Sequence, residues 1–351
     1  MRVGIIGASG YTGAELLRIL HMHPEAEVVY ITAHTYAGQG LAELYPHLHA
    51  LSGMTFAEFD PGEALDRADF HFVALPHGKS MEVVPSLLEG GARVVDLSAD
   101  YRIRDAGEYR RWYGLEHTSQ HLLDEAVYGL PEIDSGRIAG ARLVANPGCY
   151  PTAVVLALAP LAEKGLMGLR GAVVDAKSGL SGAGRALSLA AHFAQAEGNV
   201  KPYAVGSHRH IPEMEQVLTG IAGSDVKVSF APHLVPMSRG ILATCYVGLS
   251  PDGPESGETP EEEIRDIYGS YYDGRPFVVL LDKGVYPETK AVCGSNFCQV
   301  GLCLDSRSSV ITVMAAVDNL VKGASGQAVQ CMNIMQSWEE GTGLGAPGVF
   351  P

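Results

Sequence analysis

The apolar positions of this chain follow two different rhythms. Near the start, Arg2–Ile6 is a short strand-like run, and Ala14–His21 sets Leu16, Leu17, Ile19 and Leu20 at helical spacing. The alternation continues with strand-like runs at Ala26–Ile31, Phe70–Leu75, Val94–Leu97 and Leu143–Ala145, a helix-like Ser80–Glu89, and a helix-forming run from Ala153 to Leu161. Strands that alternate with helices predict a parallel, doubly wound sheet. After residue 150 the character changes. Ala172–Lys177, Ile241–Val247, Gln299–Leu304 and Val310–Ala316 read as strands of a largely antiparallel second sheet, and a last helix opens in 318–328 and runs to Ser337. Asp105–Tyr113 reads as an exposed polar and aromatic helix. Residues 251–263, rich in Pro, Gly, Asp and Glu, predict a solvated loop entering a capped helix at Thr259-Pro260-Glu261-Glu262.

Length and charge narrow this picture. A chain of 351 residues exceeds what one hydrophobic core usually carries, so two domains are expected, and 46% hydrophobic with 19% charged residues is ordinary for a globular protein. A net charge of -15 argues against nucleic acid or an anionic membrane as partner. An acidic substrate must then be met by a few local cations. The chain enters a strand at once, without a signal segment, and has no run of about eighteen uninterrupted apolar residues, which predicts a cytoplasmic protein. Six cysteines with no paired C-x-x-C spacing make disulfides and a zinc site poor expectations.

Three stretches carry candidate chemistry in the first half. Gly7-Ala8-Ser9-Gly10-Tyr11-Thr12-Gly13 lies between a strand and a helix, where glycines give left-handed angles and close backbone approach to a pyrophosphate resting on the helix N-terminus. The spacing is G-x-x-G-x-x-G, and its bland reading is an ordinary turn. Its position predicts a Rossmann-type cofactor domain, with Gly7, Ser9, Gly10, Tyr11, Thr12 and Gly13 at the dinucleotide. The second strand ends in Thr32-Ala33-His34-Thr35, with no carboxylate for a ribose 2′-hydroxyl, which predicts NADP(H) over NAD. Pro76-His77-Gly78 ends another strand at the same sheet edge, so His77 and Gly78 either line the cofactor or form a plain turn. Arg102, in Asp96-Leu97-Ser98-Ala99-Asp100-Tyr101-Arg102, is a candidate fork for a carboxylate or phosphate.

The central stretch is Asn146-Pro147-Gly148-Cys149-Tyr150-Pro151-Thr152. It sets a cysteine at the mouth of a helix, where unpaired N–H groups and the helix dipole favour the thiolate. Pro151 suits a first helical turn. The bland alternative is a small buried residue between strand and helix. Further on, Ser178-Gly179-Leu180-Ser181-Gly182-Ala183-Gly184-Arg185 is either a linker or a loop whose N–H groups line an anion or nicotinamide. His208-Arg209-His210-Ile211-Pro212-Glu213 offers two imidazoles that point to opposite faces if extended, with Glu213 able to orient either. The pair lacks a third strong ligand nearby, so no metal is expected. Arg239 precedes the strand Ile241–Val247, and Asp318-Asn319-Leu320-Val321-Lys322-Gly323-Ala324-Ser325-Gly326-Gln327-Ala328 opens the last helix, a polar start suited to closing over a cofactor.

Taken together, these motifs resemble the N-acetyl-γ-glutamyl-phosphate reductases of arginine biosynthesis, within the aspartate-semialdehyde dehydrogenase-like superfamily, over nearly the whole chain. The resemblance implies NADPH, a cytoplasmic homodimer or homotetramer, and a small-molecule acyl phosphate substrate. It also implies a cofactor domain of residues 1–148 plus 319–351, to which the C-terminal helix returns, and a catalytic and dimerisation domain of residues 149–318. Where that family often carries Ser-Arg, this chain has Ala33-His34, which leaves His34 as the candidate for the 2′-phosphate. The implied chemistry starts with Cys149 attacking the acyl phosphate to give a thioester, which takes hydride well because its carbonyl is poorly stabilised by resonance. His210 is the expected base, His208 the second candidate and Glu213 the orienter. Arg102, Arg239, Asn146 and Ser181 would bind substrate, and Ser178, Gly179, Gly182 and Asn319 would adjoin the cofactor. The rival readings are aspartate-semialdehyde dehydrogenase, a paralogue acting on carrier-bound aminoadipyl or glutamyl phosphate, and a non-catalytic NADP-sensing regulator. The last would need neither Cys149 nor the histidines.

Overall fold

The computed structural model describes residues 1–249 and 261–350. Of the loop expected over 251–263, residues 251–260 lie outside the described residues, and 261–263 belong to the helix Glu261–Tyr271. The chain divides into two compact units, Met1–Gly148 with Ala324–Ala346, and Cys149–Gly323 with the stretch from Pro347.

The first unit holds six strands, β1 (Arg2–Ile6), β2 (Glu27–Ile31), β3 (Phe70–Val73), β4 (Arg93–Asp96), β5 (Val127–Tyr128) and β6 (Leu143–Ala145). Their order is β2-β1-β3-β4-β6-β5, with every neighbouring pair parallel. Strand order reverses between β1 and β3, and in open parallel sheets ligands bind at the carboxyl ends of the strands beside such a switch point. β3 is buried on both faces, as a parallel sheet covered by helices requires. The helix Gly326–Met335 closes this unit: Gln327 Nε2 donates to the Gly129 carbonyl at 2.7 Å and Gln330 Nε2 to Glu132 Oε1 at 3.1 Å. Arg93 reaches past its strand to the carbonyls of Ala139, Ala141 and Met335, satisfying acceptors at and just beyond the C-termini of two helices.

The second unit holds β7 (Met167–Ser178), β8 (Lys201–Pro202), β9 (Val228–Leu234), β10 (Ile241–Leu249), β11 (Val278–Leu280), β12 (Cys298–Asp305) and β13 (Val310–Val317), in the order β11-β12-β13-β10-β7-β9-β8. Four of its six pairings are antiparallel, with β11/β12 and β7/β9 parallel. One face is packed by the helix Cys149–Glu163, which is buried throughout Tyr150–Ala162. Pro160 lies inside this helix and has no N–H for the Leu156 carbonyl; the Tyr272 hydroxyl donates there instead, and Tyr268 donates to Ala157 O at 2.6 Å. Along β10 burial alternates, with Ala243, Cys245 and Val247 inward and Tyr246 on the open face. The fold is thus α/β, a doubly wound parallel sheet plus a mixed, mainly antiparallel sheet. Among the described residues, no helix is long and apolar enough to cross a membrane.

Candidate active site

The glycine turn of the first unit shows why three glycines occur there. Gly7 has φ +88°, and a β-carbon on it would fall 2.6 Å from the Ala74 carbonyl oxygen, so both its angle and the close approach of the β3 end exclude a side chain. A β-carbon at Gly13 would lie 2.5 Å from Ala8 Cα, so the helix Tyr11–His21 packs directly against its incoming loop. Gly10, the N-cap, has ordinary angles and nothing within 4 Å of its β-carbon position. The turn presents open space at a helix N-terminus, and the residues fit a pyrophosphate. Ser9 holds the Tyr45 hydroxyl on its carbonyl at 2.6 Å, Thr12 takes Ser325 Oγ at 2.9 Å, and Tyr11 is exposed. Gly7 N donates to Thr32 Oγ1 at 3.1 Å, which ties the turn to the end of β2, where His34 is exposed.

The 76–80 turn is held from beneath by Asp100. This fully buried carboxylate accepts the N–H of Gly78 at 2.8 Å, the N–H of Ser80 at 3.1 Å and the Tyr109 hydroxyl at 2.7 Å. His77 Nδ1 accepts the Ala99 N–H at 3.1 Å, and Gly78 has φ +85°. Tyr109 corrects the reading of Asp105–Tyr113 as a merely exposed helix, because it is fully buried on Asp100. Beside it, Asp96 receives Ser98 Oγ at 2.7 Å, and burial, then Asp100, push its pKa up to about 6.

Arg102 follows in the same stretch. It is buried, its Nε donates to Asn146 O and its Nη2 to Leu97 O, both at 2.7 Å. Two of its donors therefore fix the backbone that leads to Cys149. Asn146 is buried too: Nδ2 donates to Ala324 O at 3.1 Å, while Oδ1 has no partner.

In the second unit Cys149 is the first residue of its helix and half-buried. Its neighbour Tyr150 packs edge-on against both imidazoles, His208 at 5.6 Å and His210 at 6.0 Å between ring centroids, while the two imidazoles lie 4.8 Å apart. Tyr203 and Phe230 complete a cage around His208 at 5.5 and 5.4 Å. Burial in this cage, and secondarily the Arg209 charge, lower the His208 pKa to about 4. His208 Nδ1 accepts the His210 N–H at 3.1 Å, so the neutral ring carries its proton on Nε2 and serves as a donor. His210 caps the helix Ile211–Ala222, and Glu213, fully buried, lies in that helix's first turn. The Tyr203 hydroxyl donates to Tyr150 Oη at 3.1 Å. Burial raises both phenols' pKa values, that of Tyr203 to about 12.

The 178–184 loop is pinned by Asn319, whose Nδ2 donates to Ser181 Oγ at 2.9 Å and whose Oδ1 accepts the Gly240 N–H at 2.7 Å. Ser178 Oγ donates to Gly179 O at 3.0 Å, a β-carbon at Gly179 would strike the Ser238 backbone at 2.8 Å, and Gly182 is exposed. Residues 319–323, counted above with the cofactor domain, sit within the second unit through these bonds. Arg239 faces the fully buried Asp318 at 3.5 Å. Sequence reasoning assigned no role to Tyr150, Asp100, Asp318, Tyr203 or Phe230; the first three stood inside quoted stretches, and Tyr203 and Phe230 gave no local signal.

Two family models cover nearly all of this architecture: the semialdehyde dehydrogenase NAD binding domain over residues 2–141 and the semialdehyde dehydrogenase dimerisation domain over residues 149–319. The fold agrees with a solved aspartate semialdehyde dehydrogenase II from Vibrio cholerae, at TM-score 0.71 and 18% identity, covering 96% of this chain and 98% of that one. An aspartate semialdehyde dehydrogenase with NADP from Candida albicans gives TM-score 0.69 at 17% identity, with 95% and 98% covered. These matches define a semialdehyde-dehydrogenase type of oxidoreductase. The chain is 50% identical to N-acetyl-gamma-glutamyl-phosphate reductases from Pelotomaculum thermopropionicum and Symbiobacterium thermophilum, over 100% of its own length and 99% of theirs. It belongs to the N-acetyl-gamma-glutamyl-phosphate reductase family.

Proposed function

We propose that the protein reduces N-acetyl-γ-glutamyl phosphate to N-acetylglutamate 5-semialdehyde with release of phosphate, using NADPH and a thioester on Cys149, in the arginine pathway. The observation that carries the reading is a cysteine opening a helix whose next residue packs on two imidazoles. NADPH would be held in the first unit by the Gly7–Gly13 turn with His77 and Gly78, with His34 the candidate for its 2′-phosphate, and would supply the hydride. His210 takes the Cys149 proton, and the sulfur attacks the acyl carbon as the bond to phosphate breaks. The thioester carbonyl, once reduced, collapses with loss of the sulfur, and His210 returns its proton. His208, kept neutral with its proton on Nε2, donates to the developing oxyanion. Glu213 orients His210, and Arg239 with Ser181 and Asn146 holds the substrate's anionic groups.

The same reading makes the protein a cytoplasmic homo-oligomer. Support comes from the open face of the second sheet, where Val173 and Tyr246 are 51% and 42% exposed, and sedimentation velocity tests it. The activity is tested in reverse, by phosphate-dependent NADP reduction with N-acetylglutamate semialdehyde, aspartate semialdehyde and an aminoadipate analogue. The first should be preferred; a preference for either of the others, or turnover without phosphate, overturns the assignment.

A further inference from the structure

The residues just after β13 do more than connect. Val321–Ser325 forms a π-helical turn, a form that is rare and concentrates at functional sites. Its start is held by the Asp318 carboxylate, which accepts the N–H groups of Leu320 at 2.8 Å, Val321 at 3.2 Å and Gly294 at 2.6 Å, and which faces Arg239. The Asp318 carbonyl accepts the Gly323 N–H at 2.9 Å. From the side, Lys322 is wholly buried with its ammonium 5.6 Å from the Phe277 ring centroid, which anchors the turn in the second unit.

Held this way, the turn brings the Gly323 backbone against the nucleophile. A β-carbon on Gly323 would fall 2.9 Å from Cys149 Cβ, 3.2 Å from Cys149 Cα and 3.3 Å from Asp318 O. Gly323 is not among the residues with positive φ, so its backbone angles do not demand glycine; space does. We infer that Gly323 is a positioning residue, a side-chain-free wall that sets where the Cys149 thiol stands. The inference rests on the reading of Cys149 as nucleophile. A methyl group there must push the cysteine or the turn by up to about 1 Å to reach ordinary contact, a displacement that costs on the order of a hundredfold in rate when it falls on a reacting group.

The test is a cycle of variants read by thermal unfolding and steady-state kinetics. Gly323→Ala should lower kcat roughly 30- to 100-fold with the KM for NADPH within about twofold, and should slow alkylation of Cys149 by iodoacetamide. It should also lower Tm by about 5 °C. The same Tm loss is expected in a Cys149→Ala background, which keeps the β-carbon, and at least half of it should vanish in a Cys149→Gly background, which removes it. Gly220→Ala, whose β-carbon position is open, should leave activity at the wild-type level. A Gly323→Ala enzyme with normal kcat and alkylation, or a Tm loss identical in all three backgrounds, overturns the inference. If Gly323→Ala alone does not fold, the double variant with Cys149→Gly must; failure of both also overturns it. Turnover retained by Cys149→Ala would instead overturn the nucleophile reading, and the inference with it, an outcome distinct from an inactive Cys149→Ala whose cycle shows no coupling.

Discussion

The glycine turn gives a prediction in which binding and stability separate. Gly10→Ala places a methyl where nothing lies within 4 Å, at angles any residue adopts, φ -82° and ψ 169°. The entropy gained from a stiffer unfolded chain, about 0.4–1 kcal/mol, is offset by a poorer N-cap of similar size, so stability should change by less than about 0.5 kcal/mol. That methyl stands where a pyrophosphate must approach the helix N–H groups. Backing the phosphates away by ~1 Å weakens charge-assisted hydrogen bonds by about 2–3 kcal/mol, or roughly 30- to 150-fold in NADPH affinity. Gly13→Ala differs, because its methyl meets Ala8 Cα, O and C at 2.5, 2.6 and 2.7 Å, all backbone. The helix must then lift off its loop, at about 1–3 kcal/mol less roughly 1 kcal/mol of improved helix propensity. It should lose both stability and affinity. NADPH fluorescence titration and thermal unfolding without cofactor measure the two effects. Wild-type affinity in Gly10→Ala would refute a pyrophosphate seat over this turn, and a Gly10→Ala destabilised as much as Gly13→Ala would refute the spatial argument.

The other predictions concern the polar groups. His210→Asn should reduce kcat by about 10²–10⁴ and His208→Asn by roughly tenfold, and equal losses in steady-state assays would contradict the division between base and donor. Asp100→Asn should raise the KM for NADPH several-fold with little change in kcat, and should lower stability by about 1–3 kcal/mol as Gly78 and Ser80 exchange a charged acceptor for a neutral one; unchanged KM and unfolding midpoint would remove its role. Acid should destabilise the fold before carboxylates titrate in bulk. His71 and His208 are lowered to about 4 by burial, so between pH 6.5 and 4 the unfolded chain binds protons that the native state refuses. Their stabilisation is present above pH 6.5 and is lost on acidification, up to about 3 kcal/mol each. Asp96, raised to about 6, acts in the opposite sense, its contribution being complete below 3.8 and lost as pH rises through 6, but one group does not outweigh two. Urea midpoints at pH 5 and 7.5 check the sign, with equal midpoints counting against it.

The elements that were legible in sequence are those with local signals. Arg2–Ile6, Leu143–Ala145 and Ser80–Glu89 appear with the expected bounds, because uninterrupted apolar runs or helical spacing mark them. β9 gave no such signal: it contains Pro232 and His233 and pairs in parallel with β7, 56 positions away at Ala172↔Val228. Site residues divide along the same line. Cys149, the histidines and the glycine turn announce themselves by type and spacing. The Asp100 grip on Gly78, between residues 22 apart, and the Gly323 approach to Cys149 are products of tertiary packing and leave no trace in any short window. Arg102 is a mixed case: its type and its place in an acidic chain suggest an anion partner, and only the fold shows that two of its donors go to backbone carbonyls.

The central claim is that an acyl group rests on the Cys149 sulfur. Intact-protein and peptide mass spectrometry after mixing the enzyme with N-acetyl-γ-glutamyl phosphate, without NADPH, tests it most directly. The account predicts one added N-acetylglutamyl group, confined to the peptide containing Cys149, discharged by NADPH and absent from Cys149→Ala. No adduct despite phosphate release, or an adduct on another residue that NADPH discharges, would contradict it.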